Sequence, residues 1–210
     1  MLAVLVLAAG RSTRMGRSKP LLPHGTASGQ TFVSHLVQVV RAAGIPDIYV
    51  IGRPDDLQLR AEVEKLAANF IPNPRPDEGQ LSSLQAGLSA AEAAAEEGLD
   101  AVMVMPADVP KVSADSVRRL LGAADVSAAT ILRATHRGRH GHPVIFKRPV
   151  FAELHAADPE VGARAVVRAD PTRVEDVEVE DAGVTIDVDT PDDYLRAFGR
   201  PPGPVKDERG

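Results

Sequence analysis

The chain opens on LAVLVLAA, Leu2 to Ala9, a run with no polar residue at any position. A strand with one wet face alternates apolar and polar residues, so a run that is apolar throughout is read as a strand covered on both faces. Further short apolar runs follow at Asp47–Gly52, Phe70–Pro72, Ala101–Pro106, Ala128–Arg133, Pro143–Lys147 and Val184–Val188. Helical patterns separate the early ones. TFVSHLVQVVRAAG puts Val33, Leu36, Val37 and Val40 on one face and stops at Gly44. DLQLRAEVEKLAANF does the same with Leu59, Val63 and Leu66, and the alanine-rich SSLQAGLSAAEAAAEEG starts on a serine suited to an N-cap. Buried strands alternating with amphipathic helices predict an α/β fold, a Rossmann-like three-layer sandwich around a mostly parallel central sheet. Residues 1–198 fit a single domain, and the Pro/Gly-rich, charged stretch 199–210 reads as a disordered tail.

Composition removes several functions. A net charge of −5 and 3% aromatic residues disfavour a nucleic-acid partner, which calls for basic patches and stacking rings. With no cysteine there is no disulfide framework, thiol nucleophile or cysteine-bound zinc. The first apolar run is too short to span a membrane and lacks a basic leader in front of it, so a cytoplasmic location is expected.

The first run leads directly into GRSTRMGRSK. Gly10 permits a sharp turn and Ser12 and Thr13 add hydroxyls. Arg11, Arg14, Arg17 and Lys19 bring positive charge to the end of a core strand, where an anion must meet it. The dinucleotide fingerprint fails for want of a second early glycine. The P-loop fails because Gly10 and Gly16 are one residue too far apart and Arg17 follows the second.

The full pattern L-A-A-G-x-S-x-R-M-G-x-x-K-P-L-L resembles the signature of nucleotidyltransferases that attach a nucleotide to a small phosphorylated acceptor, in particular the molybdenum cofactor cytidylyltransferase and guanylyltransferase family. Three later segments resemble that family in order. They are Asn73-Pro74 with Gly79 to Leu84, Met105-Pro106-Ala107-Asp108-Val109-Pro110, and Ile186-Asp187-Val188-Asp189-Thr190-Pro191. The resemblance implies the nucleotide-diphospho-sugar transferase type of sandwich. It implies nucleotide contacts at Leu7, Ala8, Ala9, Gly10, Ser12, Gly16, Lys19, Gln80, Ser82 and Ser83, with Lys19 and Arg14 on the triphosphate. It also implies that Asp108 and Asp189 are ligands of Mg²⁺ or Mn²⁺, with Asp187 ranked below Asp189. Arg11 and Arg17 are read as solvated charges, Asp192 and Asp193 as first-turn acids favoured by the helix dipole. One of the two serines has the alternative role of capping its helix.

The cytidylyl branch of this family shows L-A-A-G where the guanylyl branch shows L-A-G-G, so Ala9 favours CTP over GTP. Gly141-His142-Pro143-Val144-Ile145-Phe146 and Gly162-Ala163-Arg164-Ala165 resemble further segments of the cytidylyl branch. They point to molybdopterin as acceptor, with His142 either contacting it or tying its loop to the strand. Arg137, Arg139 and His140 attract an anionic acceptor or are flexible surface charge. The polar stretch 24–30 is longer than the family pattern and bears on acceptor access. The resemblance further implies transient contact with a molybdenum hydroxylase that takes the product. The alternatives are GTP-dependent transfer to the same pterin, transfer to a sugar or polyol phosphate, and a nucleotide-binding cofactor chaperone without turnover. The chaperone would be marked by a missing lysine or metal ligand, and Lys19, Asp108 and Asp189 are all present.

Overall fold

The structure is a computed structural model that describes residues 1–25 and 29–202. Residues 203–210 of the expected tail and 26–28 of the polar stretch lie outside the described residues. Seven strands form one sheet in the order β3-β2-β1-β4-β6-β5-β7. They are β1 (Leu2–Leu7), β2 (Ile48–Gly52), β3 (Asn69–Pro72), β4 (Ala101–Pro106), β5 (Ile131–His136), β6 (Arg139–Lys147) and β7 (Val174–Glu178). β6 runs antiparallel to β4 and β5, and the other pairs are parallel.

The unbroken apolar character of β1 is explained by its two faces. Val4 and Val6 join a core with α1 (Phe32–Ala42), α2 (Leu57–Lys65) and α4 (Ala114–Val126). Ala3, Leu5 and Leu7 join a second core with α3 (Gln80–Ala94), α5 (Phe151–Ala156) and α6 (Arg164–Ala169). Val33, Leu36, Val37 and Val40 of α1 are all fully buried, as the periodicity predicts. Each such side chain contributes roughly 1.5–3 kcal/mol by leaving water. Among the described residues no helix is long and apolar enough to cross a membrane.

Two expectations are corrected. Val184–Val188 is not a strand: Ala182–Thr185 is a 3₁₀ turn. Its valines are buried by packing, which mimics a strand in the sequence. The last strand is instead β7, VEDVE, where only Val177 is buried because the strand lies at the sheet edge. Its charges face water and erase the apolar signal. Nor does serine cap α3, since Gly79 holds the N-cap position with φ +87.

The turn at 182–185 is pressed hard against its neighbours. A Cβ at Gly141 in β6 would lie 2.1 Å from the Val184 carbonyl oxygen, and one at Gly183 would lie 2.1 Å from the Lys111 oxygen. Both obstacles are backbone, which cannot rotate away. Gly141→Ala is therefore expected to lower stability by about 1–3 kcal/mol in urea unfolding. A loss within error of zero would show that the turn is free to retreat.

Candidate active site

The sheet order places a topological switch between β1 and β4. From β1 the chain moves outward to β2 and β3, then returns to β4 on the other side of β1. At the carboxyl edge Leu7 pairs with Pro106, Ala8 N donates to Ile51 O at 2.8 Å and Ala107 N donates to Leu7 O at 3.0 Å. Beyond that edge the helices diverge and leave a crevice, the usual ligand position in open α/β sheets.

The basic loop folds over this crevice. Ser12 sits in the left-handed region at φ +51, and its carbonyl accepts the amides of Met15 and Gly16, both at 3.0 Å. Gly16, at φ +75, closes the turn. Met15 anchors the loop in a small apolar cluster with Leu22, Phe32, Val188 and Tyr194. The Ser12 hydroxyl accepts the Lys19 amide at 3.1 Å, and a 3₁₀ turn from Lys19 to Leu21 follows. Lys19 is thereby fixed at the floor of a cavity of about 450 Å³ lined by residues 7–14, Pro76, Gly79, Gln80, Ser83, Asp108 and Asp189.

Asp108 lies two residues beyond the end of β4. Its carbonyl accepts the Val188 amide at 2.7 Å, a single backbone bond that brings the segment before α7 (Pro191–Phe198) into the site. α7 is closed by a capping box in which the Asp193 carboxylate accepts the Thr190 amide at 2.8 Å and the Asp189 amide at 3.2 Å. Asp193 is thus the first-turn acid expected, and it fixes the backbone of Asp189. The Lys19 Nζ donates to Asp108 Oδ2 and to Asp189 Oδ1, each at 2.8 Å. Arg14 Nη2 lies 3.0 Å from Asp189 Oδ2. Burial pushes the Lys19 ammonium down, but the Asp108 and Asp189 carboxylates outweigh it and leave its pKa above the ordinary value. The hydrogen bond from Lys19 in turn holds the Asp189 carboxyl below the ordinary value.

Two carboxylates that converge on one cationic point are hard oxygen donors suited to Mg²⁺ or Mn²⁺. Among the described residues no group of three or more histidine, cysteine or acidic side chains is arranged to hold a metal. A metal here would take Asp108 and Asp189 from the protein and its other oxygens from phosphate and water.

The other wall holds both expected and unexpected residues. Gln80 and Ser83 line the cavity, whereas Ser82 does not: its hydroxyl shares its one proton between the Arg75 and Gly79 carbonyls, both at 2.8 Å. Fully buried Asn73 is the hub, donating from Nδ2 to Ser82 and Ser83 at 2.9 and 3.0 Å and accepting the Arg75 amide at 2.8 Å. Arg11 is exposed, as expected of a solvated charge, and it is also paired. It makes a two-pronged bond to Asp77 at 2.9 and 2.6 Å, and Arg53 reaches the same carboxylate at 3.0 Å. These guanidinium bonds hold Asp77 at a pKa of about 2. Arg17 is half-buried, and its charge is felt at the Tyr194 hydroxyl. No acidic partner for Arg11 was marked in the sequence, because Asp77 stands alone in a loop with nothing periodic around it.

A second cavity of about 610 Å³ adjoins the first through Leu7 and Gln80. It is lined by His142, Asp187, Arg139, His140 and Arg164 around an apolar floor that includes Val104, Val144 and Phe146. Asp187 and Asp189 thus face different cavities. Burial pushes His142 down to about 4. Burial and the neighbouring Asp108 and Asp189 charges raise Asp187. Arg137 lies apart from both cavities, beside Glu178 at the far end of β5. None of the described residues in 24–30 lines either cavity, and His24 stacks on His35 instead, with ring centroids 3.6 Å apart.

Residues 4–177 match the MobA-like NTP transferase domain. The chain belongs to that family. It is a nucleotidyltransferase by that membership. It is 28% identical to the molybdenum cofactor cytidylyltransferase of Escherichia coli, over 93% of this chain and 95% of that one. It is 26% identical to the purine catabolism protein PucB of Bacillus subtilis, over 90% and 91% of the two chains. The manganese complex of Rv0371c from Mycobacterium tuberculosis superposes with a TM-score of 0.72 at 26% identity, covering 95% of this chain and 98% of that one.

Removing the hub of the second wall tests its role. Asn73→Ala strands buried hydroxyls and the Arg75 amide, and is expected to cost about 1–3 kcal/mol of stability. It should also weaken nucleotide binding, because Ser83 and Gln80 lose their support. Unchanged nucleotide affinity in calorimetry would separate this wall from the ligand.

Proposed function

We propose that the protein transfers a cytidylyl group from CTP to molybdopterin, releases pyrophosphate, and acts with Mg²⁺, or Mn²⁺ in its place. The observation that carries the reading is the meeting of Lys19, Arg14, Asp108 and Asp189 at the floor of one cavity that opens into a second.

In this reading a phosphate oxygen of the acceptor forms a bond to the α-phosphorus of CTP, and the bridging bond to the β-phosphate breaks. The attacking phosphate is already ionised, so no side chain need act as its base. Lys19 and Arg14 hold the triphosphate, and the exposed amides of the loop from Gly10 bind its oxygens. Asp108 and Asp189 would hold the divalent ion, which would supply positive charge against the phosphates. The protein's contribution is alignment and fixed charge.

Ala9 is almost fully buried in the cavity wall, and its methyl narrows the space for a base. That favours the smaller pyrimidine by ~1–3 kcal/mol. The second cavity suits an acceptor with a flat body and polar edges. His142 is neutral there and serves as a hydrogen-bonding group for the pterin, and Arg139 and Arg164 attract its negative charge. The Escherichia coli relative supports the molybdenum cofactor as acceptor. The product would pass to a molybdenum hydroxylase by transient contact in the cytoplasm.

Pyrophosphate release is the direct test, with molybdopterin and Mg²⁺ and with CTP or GTP as donor. CTP is expected to give a kcat/KM at least about tenfold above that of GTP. A preference for GTP would transfer the assignment to guanylyl transfer. Asp108→Asn should lower kcat by ~100-fold or more while the fold persists, as loss of a fixed electrostatic group requires. Full activity in that variant would remove Asp108 from the metal.

A further inference from the structure

Lys19 occupies the position that a metal held by Asp108 and Asp189 would need. Its side chain is only 14% exposed, and its ammonium sits 2.8 Å from an oxygen of each carboxylate. Arg14 covers the remaining oxygen of Asp189 at 3.0 Å. Three of the four carboxylate oxygens therefore already face a cationic nitrogen. A divalent ion bound to the same oxygens at ~2.0–2.1 Å has no room beside that ammonium, and like charge repels it.

We propose that Lys19 is a built-in counter-ion for this carboxylate pair, so that a divalent cation binds tightly only once nucleotide phosphates have drawn Lys19 away. The inference rests on the reading of Asp108 and Asp189 as the metal pair. In the free protein Lys19 holds together two acids that would otherwise repel across the crevice. A triphosphate offers Lys19 and Arg14 new anionic partners, and their withdrawal frees the oxygens for the metal. Metal and nucleotide then favour one another reciprocally through these side chains, Lys19 above all.

The experiment measures Mn²⁺ binding to the full chain by the resonance signal of the free ion, without nucleotide. Lys19→Met keeps the length of the side chain and removes its charge, and is expected to bind Mn²⁺ at least about tenfold more tightly than the wild type. Equal or weaker binding would overturn the proposal. Asp108→Asn introduced into the Lys19→Met chain should abolish the gain; if the gain survived, the metal-pair reading itself would fall. Should Lys19→Met not fold, the wild type decides. CTP must then raise its Mn²⁺ affinity beyond the separately measured Mn²⁺–CTP equilibrium in solution, and no rise would overturn the coupling.

Discussion

The structure depends on a meeting of charges that no single segment can arrange. Lys19 comes from the loop after β1, Asp108 from the end of β4, and Asp189 from the far end of the chain. Each is held from behind by hydrogen bonds to the backbone: the Ser12 hydroxyl on the Lys19 amide, the Asp108 carbonyl on the Val188 amide, the Asp193 carboxylate on the Asp189 amide. The ion pairs are the outcome of these backbone restraints. Long side chains that had to find one another would lose much of the attraction to conformational entropy. Here the backbone has already fixed the places from which they reach.

The parallel sheet makes those restraints possible. Adjacent parallel strands end at the same edge, so the residues after β1 and after β4 emerge side by side without any special contact. Helices on both faces leave the edge as the one place where polar loops can gather. Asp189 has no such strand to deliver it. Its place comes from the close approach of Gly141 and Gly183 to neighbouring backbone, which lets the turn before it lie flat against β6. A side chain at either glycine would push the second carboxylate away from the first. The site is therefore part topology and part tight packing.

This division also explains what could be read from the sequence. The strands that carry the nucleotide half are buried on both sides, so their apolar runs were plain, and the glycine and basic residues behind β1 stood out against them. Lys19, Asp108 and Asp189 were legible because ordered motifs surrounded them. β7 was not legible, because an edge strand with charged faces has no apolar period to detect. Val184–Val188 misleads for the opposite reason, since buried valines in and just after a 3₁₀ turn look like a strand. Ser82 and Arg11 are a different case. Whether a hydroxyl points into a cavity or is used by a carbonyl, and whether an arginine finds Asp77, are settled by contacts between distant segments.

The two halves of the sheet also differ in what they can vary. The half around β1 is parallel and packed by helices on both faces. The other half is a hairpin, β5 and β6, set antiparallel against β4, and the second cavity is lined by side chains from β6, from the stretch before α6 and from the turn at 184–185. Strand hairpins tolerate altered side chains on their exposed faces as long as the register holds. Substitution on that face would reshape the second cavity while leaving Lys19 and its carboxylates in place. A family built on this plan can keep one phosphate chemistry and change the molecule that receives the nucleotide.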